Sequence, residues 1–487
     1  MIFIDHTFSI GSCSTFQHSI LAIMRVSTYL SLYFGLAVSS HFDPRSYAIE
    51  DVIVRDVAVI GGGSSGTYGA VNLQRLGKSV VLVEKEAYLG GHVNSYTDPA
   101  TGTSLDYGVQ TFWNISTTHD YFEYLDIPVT EWTVDDLTNV YADFTTGDAL
   151  NISVGEDYTV YVEQLNKYPY IEWSWDLPDP VPSDLLLPFS EFVEKYSLQE
   201  LAYSVYFNAQ GVTNFLDQLT VNVFKYVDGS FLDALSGGDV VTSNHSNWEI
   251  FAKASALLGS DVLLSSTVIS AQRSTNGSGV SLVVQTSTGR KLIQASQLLI
   301  SIPPLLENMQ PFNLSTEETN LFSQWDYGAY YTMLINNTGL PSGYRFINAI
   351  ADFATDFNIP TLPAPYQVTE SRVPGLFYVW YASPYAQTQA EVEAAVSEAV
   401  QRLQVTANGN STTTHAPTFV EFRSHTPFKL VVSADAIEDG FYNQLEALQG
   451  QQNTWYTGAA FLSHSSGILW NFTASLLPEI ISAAESS

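Results

Sequence analysis

Cysteine is almost missing: Cys13 stands alone in 487 residues, so no intramolecular disulfide and no cysteine-based metal cluster can form. Basic residues are scarce as well, 18 Lys+Arg against 50 Asp+Glu, which gives a formal charge of −32 at pH 7 and a pI near 4.3. A chain so poor in cations lacks the basic footprint that nucleic acid or an anionic membrane would need. Charged residues make up only 14%, against roughly 25% in average globular chains, so the surface is largely neutral and polar. Beyond the N-terminal segment there is no internal repeat and no apolar run long enough to span a bilayer. What is present is core. Hydrophobic residues at 45% and aromatics at 13% suffice for two or three domains or one large composite fold, and exclude a disordered or fibrous chain.

The segment Met24–Ser40 reads as a secretory signal: Arg25 is the n-region, Tyr29–Val38 the apolar h-region, and Ala37 and Ser39 form an A-x-S cleavage pattern. Residues 1–23 precede this second Met as an upstream extension. Cleavage removes Cys13 and leaves a thiol-free protein. N-x-[ST] sequons at Asn114, Asn151, Asn244, Asn276, Asn313, Asn336, Asn410 and Asn471 fit a glycosylated protein of the secretory pathway or the medium.

The strongest chemical signal begins at Val57-Ala58-Val59-Ile60, a short apolar strand of the fully buried kind. Gly61, Gly63 and Gly66 then give G-x-G-x-x-G, with Ser65 inside it. A helix is expected over Thr67–Leu76, ended by Gly77, then a second apolar strand over Ser79–Val83 and the acid Glu84. Gly61 permits a tight turn, Gly63 lets a pyrophosphate approach the backbone, and Gly66 allows close helix–strand contact. The helix N-terminus supplies N–H groups and partial positive charge, in a chain with few cations to do so. Glu84 follows Gly66 by about 20 residues, the place of a carboxylate that grips ribose hydroxyls. Strand, glycines, helix, strand and acid in that order point to a dinucleotide.

Further stretches decide which one. After Glu84 the chain reads Lys85-Glu86-Ala87-Tyr88-Leu89-Gly90-Gly91-His92; later come Asp106-Tyr107-Gly108-Val109-Gln110, Val262–Val268, Leu298–Pro304, and Trp455-Tyr456-Thr457-Gly458-Ala459-Ala460 with Ser466-Gly467. In order, these resemble the motifs of the flavin-containing amine oxidoreductase family, and GGGSSGTYGA, LGGHVNSYTDP, LDYGV and NTWYTGAAF resemble its fungal branch of beta-cyclopiazonate dehydrogenase type. The resemblance implies FAD as cofactor and an α/β fold: a discontinuous Rossmann-like FAD-binding domain of the amine-oxidase/glutathione-reductase type, interleaved with an α+β substrate domain. The expected FAD-binding pieces are 52–125, 230–310 and 420–487, the substrate pieces 126–229 and 311–419. In the substrate pieces a helix is expected at Phe189–Ala202, a strand at Gly375–Tyr381 and a helix at Ala390–Leu403. Carried over position by position, the flavin-contacting set is Gly61, Gly63, Ser65, Gly66, Glu84, Lys85, Gly90, Gly91, His92, Gly108, Gln110, Val268, Gly458, Ile468 and Leu469.

Three positions depart from the family pattern. Matching its glycine to Gly328 puts Thr332 where amine oxidases carry a lysine near flavin N5; Ile468 replaces an aromatic after the Ser-Gly pair; Ala460 replaces an acid near the ribityl chain. A simple alkylamine oxidase is therefore disfavoured, although hydride chemistry survives because the cofactor performs it. His425, His464 and Tyr442 are the candidate acid–base residues, no metal is expected, and the aromatic stretch Tyr327–Tyr331 with Phe441-Tyr442 is a candidate pocket lining. The acidic pairs Asp135-Asp136 and Glu317-Glu318 read as solvated surface. The leading expectation is an FAD-dependent oxidoreductase taking hydride from a C–H or C–N centre of a bulky, apolar or alkaloid-like small molecule, with O2 or another acceptor reoxidising it. A redox-neutral flavin isomerase and a non-catalytic flavin-binding paralogue are the alternatives.

Overall fold

A computed structural model describes residues 41–133, 136–235, 238–274, 279–407, 409 and 413–486. The signal-like segment, Cys13, Asp135 and the sequons at Asn276 and Asn410 lie outside the described residues. Two seven-stranded sheets organise the rest.

The first sheet is Rossmann-like. Strand β1 (Val52–Ile60) continues into the turn that starts helix α1 (Ser64–Arg75), and β2 (Val80–Val83) follows. Strand β1 runs parallel to β2 on one side and to Gly289–Ile300 on the other; Val262–Leu263 extends the sheet beyond β2, and Thr454–Tyr456 joins Gly289–Ile300 in parallel. The antiparallel strands Thr267–Arg273 and Val280–Thr286 complete it. Three well-separated stretches of chain thus build one sheet. Its parallel strands read as unbroken apolar runs because both faces are covered: Val57, Ala58, Val80 and Leu82 are all fully buried. Helix α1 packs against the C-terminal helix Ser466–Glu485 and against Glu249–Leu258.

The second sheet has Asp326–Asn336 near one edge, flanked by Thr418–Ser424 and Phe377–Ser383, and then Ala364–Glu370, Tyr344–Asn348 and Thr138–Ala142. Phe428–Val431 pairs with the beginning of Asp326–Asn336. Alternation along that strand separates two environments. Ala329, Tyr331, Met333 and Ile335 pack under helix Gln389–Ala407 through Val392, Val396 and Val400, whereas Tyr330 and Leu334 face the short helices of residues 159–235 and the first sheet.

Three sequence expectations change here. Phe189–Ala202 is two helices, Phe189–Lys195 and Gln199–Asn208, broken where Ser197 takes φ +55°; apolar spacing alone cannot register such a left-handed residue. Val262–Val268 is two strands, because the chain turns at Ser265 and Ser266 to bond Glu86 and Glu84. Glu318 is not solvated. It caps the helix Thr316–Phe322 with Ser315 in a reciprocal capping box and lies buried against Arg273.

Candidate functional site

The turns that follow the parallel strands of the first sheet meet at the strands' carboxyl ends. Ile60, Val83, Ile300 and Tyr456 are the last residues of parallel strands, and the carboxyl ends of such strands are where open α/β sheets bind ligands. Backbone bonds stitch these ends together: Gly61 N–H donates to Val83 O at 2.9 Å, Ser301 N–H to Ile60 O at 2.9 Å, and Thr457 N–H to Ile300 O at 2.9 Å. The Ser301 hydroxyl adds bonds to the carbonyls of Ile60 and Gly61.

Gly66 has no alternative there. A Cβ on it would lie 2.0 Å from the Gly61 carbonyl oxygen. Gly63 and Gly91 face each other as bare backbone: a Cβ on Gly91 (φ +54°) would come within 2.9 Å of Gly63 Cα. Gly63 also heads α1 without a side-chain cap, and Ser465 heads the C-terminal helix without one. The two helix starts converge, with Ser64 Oγ and Ser466 Oγ 3.0 Å apart. First-turn N–H groups of both helices therefore lack internal acceptors at a single place, which is the donor set a diphosphate needs when Lys and Arg are scarce. Glu84 directly follows β2 with its carboxylate pinned: Oε2 accepts from Gly62 N–H at 2.6 Å and Oε1 from Glu86 N–H at 2.8 Å. Its remaining lone pairs suit sugar hydroxyls. These features fit FAD.

His92 and the residues after it are zipped to the Asp106–Gln110 segment. Tyr107 and Gly108 N–H groups donate to Asn94 O, and Val109 N–H donates to His92 O at 3.1 Å. Asp106 holds this turn from below: it accepts from the Ser95 hydroxyl and from Asn247 N–H at 2.8 Å, while the Asn247 amide donates to Val109 O and Gln110 O. Burial pushes the Asp106 carboxyl up to about 7. The Gln110 amide donates back to Asp106 O.

Above this turn the structure gathers three imidazoles. His92 stacks on His425 with centroids 4.2 Å apart and planes 13° apart, and His464 lies nearly parallel to His92 at 6.0 Å. Phe428 touches His464 at 4.2 Å and stacks on Tyr330 at 4.8 Å. His425 Nε2 meets Asn94 Oδ1 at 3.0 Å. His464 Nε2 accepts from the Lys429 backbone N–H at 3.1 Å, which puts the proton of the neutral ring on Nδ1. Burial lowers His92 to about 4, with Lys85 adding to the effect, and lowers His425 and His464 well below the usual histidine value. All three are neutral at neutral pH. His92 and His464 nevertheless keep some accessible surface, unlike His425, so these two rings are the ones of the three that a bound molecule can touch.

The sequence-derived residues thus separate. Gly61, Gly63, Ser65, Gly66, Glu84, Gly90, Gly91, His92, Gly108 and Gln110 fall in or beside the cradle. Gly458 joins them through Ser301, whose carbonyl oxygen lies 3.3 Å from where its Cβ would be. Ile468 and Leu469 are buried in the first turn of the C-terminal helix. Lys85 is exposed, and Val268 is buried in the core two residues beyond Ser266, whose N–H bonds Glu84 O. Tyr442 stands apart: its ring stacks on Trp175 at 3.8 Å beside a cavity of about 190 Å³, and burial raises its hydroxyl well above the usual range. Thr332 is buried with an unpartnered hydroxyl on the face of its strand that carries Tyr330. One residue was missed by sequence reasoning. Lys429 is buried beside His464, and the signal that could have found it is a lone lysine in the apolar run Phe428-Lys429-Leu430-Val431-Val432.

Comparison with known proteins agrees with this geometry. Residues 59–127 match the NAD(P)-binding Rossmann-like domain family. The chain is 42% identical to the FAD-dependent oxidoreductase pigF of Monascus ruber, covering 92% of this chain and 97% of that protein. It is 34% identical to the beta-cyclopiazonate dehydrogenase of Aspergillus oryzae, covering 94% of this chain and all of that one. Among solved structures, a fatty acid isomerase from P. acnes superposes with a TM-score of 0.68 at 17% identity, over 87% of this chain and 98% of that one. Putrescine oxidase superposes with a TM-score of 0.61 at 14% identity, over 88% of this chain and all of that one. Both share the fold.

Proposed function

The chain belongs to the fungal FAD-dependent oxidoreductases, and on that premise we propose that it removes hydride from a C–H or C–N centre of a bulky, apolar metabolite. FAD, when bound, supplies the two-electron acceptor. In this reading Gly61, Gly63, Ser65 and Gly66, with the uncapped starts of α1 and the C-terminal helix, hold the diphosphate, and Glu84 holds a ribose. Gly90–His92, Gly108–Gln110, Gly458, Ile468 and Leu469 border the ring system. His92, His464, Phe428, Tyr330 and Tyr226 then wall the reaction space and exclude water.

The observation that carries the substrate class is the chemistry of that wall. It is aromatic and its imidazoles are neutral. Among the described residues no carboxylate pairs with these rings or with Lys429. A permanently cationic amine would sit there without a counter-charge, at a cost of several kcal/mol, whereas a neutral, largely apolar molecule would be accommodated. The beta-cyclopiazonate dehydrogenase relative supports oxidative ring closure on an alkaloid-like skeleton as the finer reading. Export is part of the same proposal, supported by the Met24–Ser40 segment and by exposed asparagines at 114, 151, 244, 313, 336 and 471.

Anaerobic mixing with neutral polycyclic and alkaloid-type candidates is the test. Bleaching of the flavin absorbance with a product lighter by two hydrogens supports the proposal. Product of unchanged mass points to the isomerase reading instead, and no bleaching across the panel overturns both.

A further inference from the structure

We propose that Lys429 is the proton acceptor of this site, taking the proton of the substrate's N–H, O–H or acidified C–H on its side-chain nitrogen as the neighbouring carbon loses hydride. The inference rests on the oxidoreductase reading above. In balance, the donor carbon gives up hydrogen with both electrons to the oxidant, the family's FAD; the adjacent atom gives up a proton to Lys429 Nζ; and a double bond forms between them.

Four observations converge on this residue. Lys429 sits at φ +53°, a left-handed conformation that a non-glycine residue holds only where its surroundings enforce it, and such strain clusters at functional sites. Its Nζ lies 3.8 Å from the centroid of Tyr226 and donates to the Ala209 carbonyl at 3.2 Å, which leaves donor capacity unused. Among the described residues no carboxylate pairs with it. A buried lysine in such surroundings gives up its proton, and burial holds the Lys429 amine well below the usual lysine range. Finally, its own backbone N–H occupies the basic nitrogen of His464, Nε2, and the Tyr226 ring that the amine touches lies 6.1 Å from the His464 ring.

The alternatives in the cluster are weaker bases for the task. His464 presents Nδ1–H, a donor. His425 is covered by His92 and tied to Asn94. Tyr226, Tyr330 and Tyr442 are all raised above the ordinary tyrosine value by burial, so they stay protonated at neutral pH. The three histidines, lowered by burial, stay neutral down to mildly acidic pH. Among the described residues Lys429 is therefore the one cation of this cluster, and burial favours its neutral, proton-accepting form.

The test uses the full FAD-loaded enzyme and its Lys429→Met variant. The rate of flavin bleaching by a reactive substrate is expected to rise with pH along a single ionisation well below the usual lysine value. In Lys429→Met it should fall by about 100-fold or more and lose that limb, with the flavin spectrum unchanged. A second readout needs no substrate. Wild-type stability should rise with pH between the depressed lysine pKa and its unfolded value, because only the unfolded chain binds the proton there; Lys225, lowered to about 7 by burial, adds a like slope to both proteins, so the variant's curve should be shallower by one proton. Should the variant not fold, a flat wild-type bleaching profile alone overturns the proposal. Equal rates and slopes in both proteins overturn it as well. A wild-type enzyme that no substrate bleaches, yet whose stability slope exceeds the variant's, removes the oxidoreductase reading and leaves a neutral Lys429 without its role.

Discussion

Two buried polar clusters sit in this molecule, and they differ in how completely they are satisfied. Arg273 spends all five donors: Nε on Phe312 O, Nη1 on Glu318 Oε1 and Tyr456 Oη, Nη2 on Asn313 O and Glu318 Oε2. The Tyr456 hydroxyl also donates to Glu318. Around Lys429 the reverse holds, with an amine making one carbonyl bond and three imidazoles stripped of charge. The satisfied cluster ties the meander strand Thr267–Arg273 to the helix Thr316–Phe322 and to the end of the strand Thr454–Tyr456, so it joins chain segments that meet at the base of the site. The unsatisfied one faces the site itself. Complete pairing is what a polar core needs to hold a fold; incomplete pairing is what a site needs if its groups are to exchange protons with something else.

Breaking the satisfied cluster should produce the largest effect. Glu318→Ala leaves Arg273 charged, buried and without its carboxylate, a change that costs about 3–5 kcal/mol. Urea unfolding should show that loss, while a double replacement, Arg273→Met with Glu318→Leu, should recover most of it. A Glu318→Ala protein as stable as wild type would mean the ion pair is not buried as described. The unsatisfied cluster should behave oppositely. Lys429→Met removes a lone buried amine and should leave stability equal or higher.

The glycine cradle between the two comes next. Gly91→Ala places a Cβ within 2.9 Å of Gly63 Cα at a residue with φ +54°, so the loop must shift where a diphosphate would lie. A loss of FAD affinity of about 10–100-fold is expected, roughly 1.4–2.7 kcal/mol, read by fluorescence of released flavin. The FAD-free protein should lose stability as well, by about 1–2 kcal/mol, because the left-handed backbone and the Gly63 contact are present with or without the cofactor.

The comparison also shows what could be read from residues alone. The cradle was legible because each of its glycines follows an apolar strand at a fixed offset, and a strand end followed by glycine has few other uses. The misreading of Glu318 has a physical source. Its partner Arg273 is 45 residues away, so nothing local distinguishes it from the exposed Glu317 beside it, although Ser315-Thr316-Glu317-Glu318 did carry the S-x-x-E capping signature. Lys429 was overlooked for a similar reason: one lysine in an apolar run is a faint signal, and it reads as an edge residue until the pairing of Phe428–Val431 with Asp326–Asn336 turns it inward. The three histidines could be singled out one by one, His92 in the flavin-contacting set and His425 and His464 as acid–base candidates, but their stacking from three distant segments is tertiary information that no local pattern carries.

The smallest effect is the one that distinguishes the clusters by pH. Glu318 has its carboxyl lowered; burial alone would raise it, but its bonds to Arg273 and Tyr456 outweigh that. Its contribution is therefore present above the unfolded carboxylate value of about 4.3 and disappears as pH falls through the folded value. His92 is lowered to about 4 by burial, so between about 6.5 and 4 the unfolded chain binds a proton that the folded chain refuses, and stability declines as pH falls across that window. Asp106, raised to about 7, acts with the opposite sign over part of the same range, so the contrast must be taken as a difference between variant and wild type. His92→Gln should make the decline between pH 6.5 and 4 shallower by one proton, the share of His425 and His464 remaining, and leave the loss below 4.3 intact; Glu318→Gln should do the converse. Unfolding midpoints measured every half pH unit check both, and a His92→Gln curve parallel to wild type from 6.5 to 4 would place that ring in water instead of in the enclosed space beside the cradle.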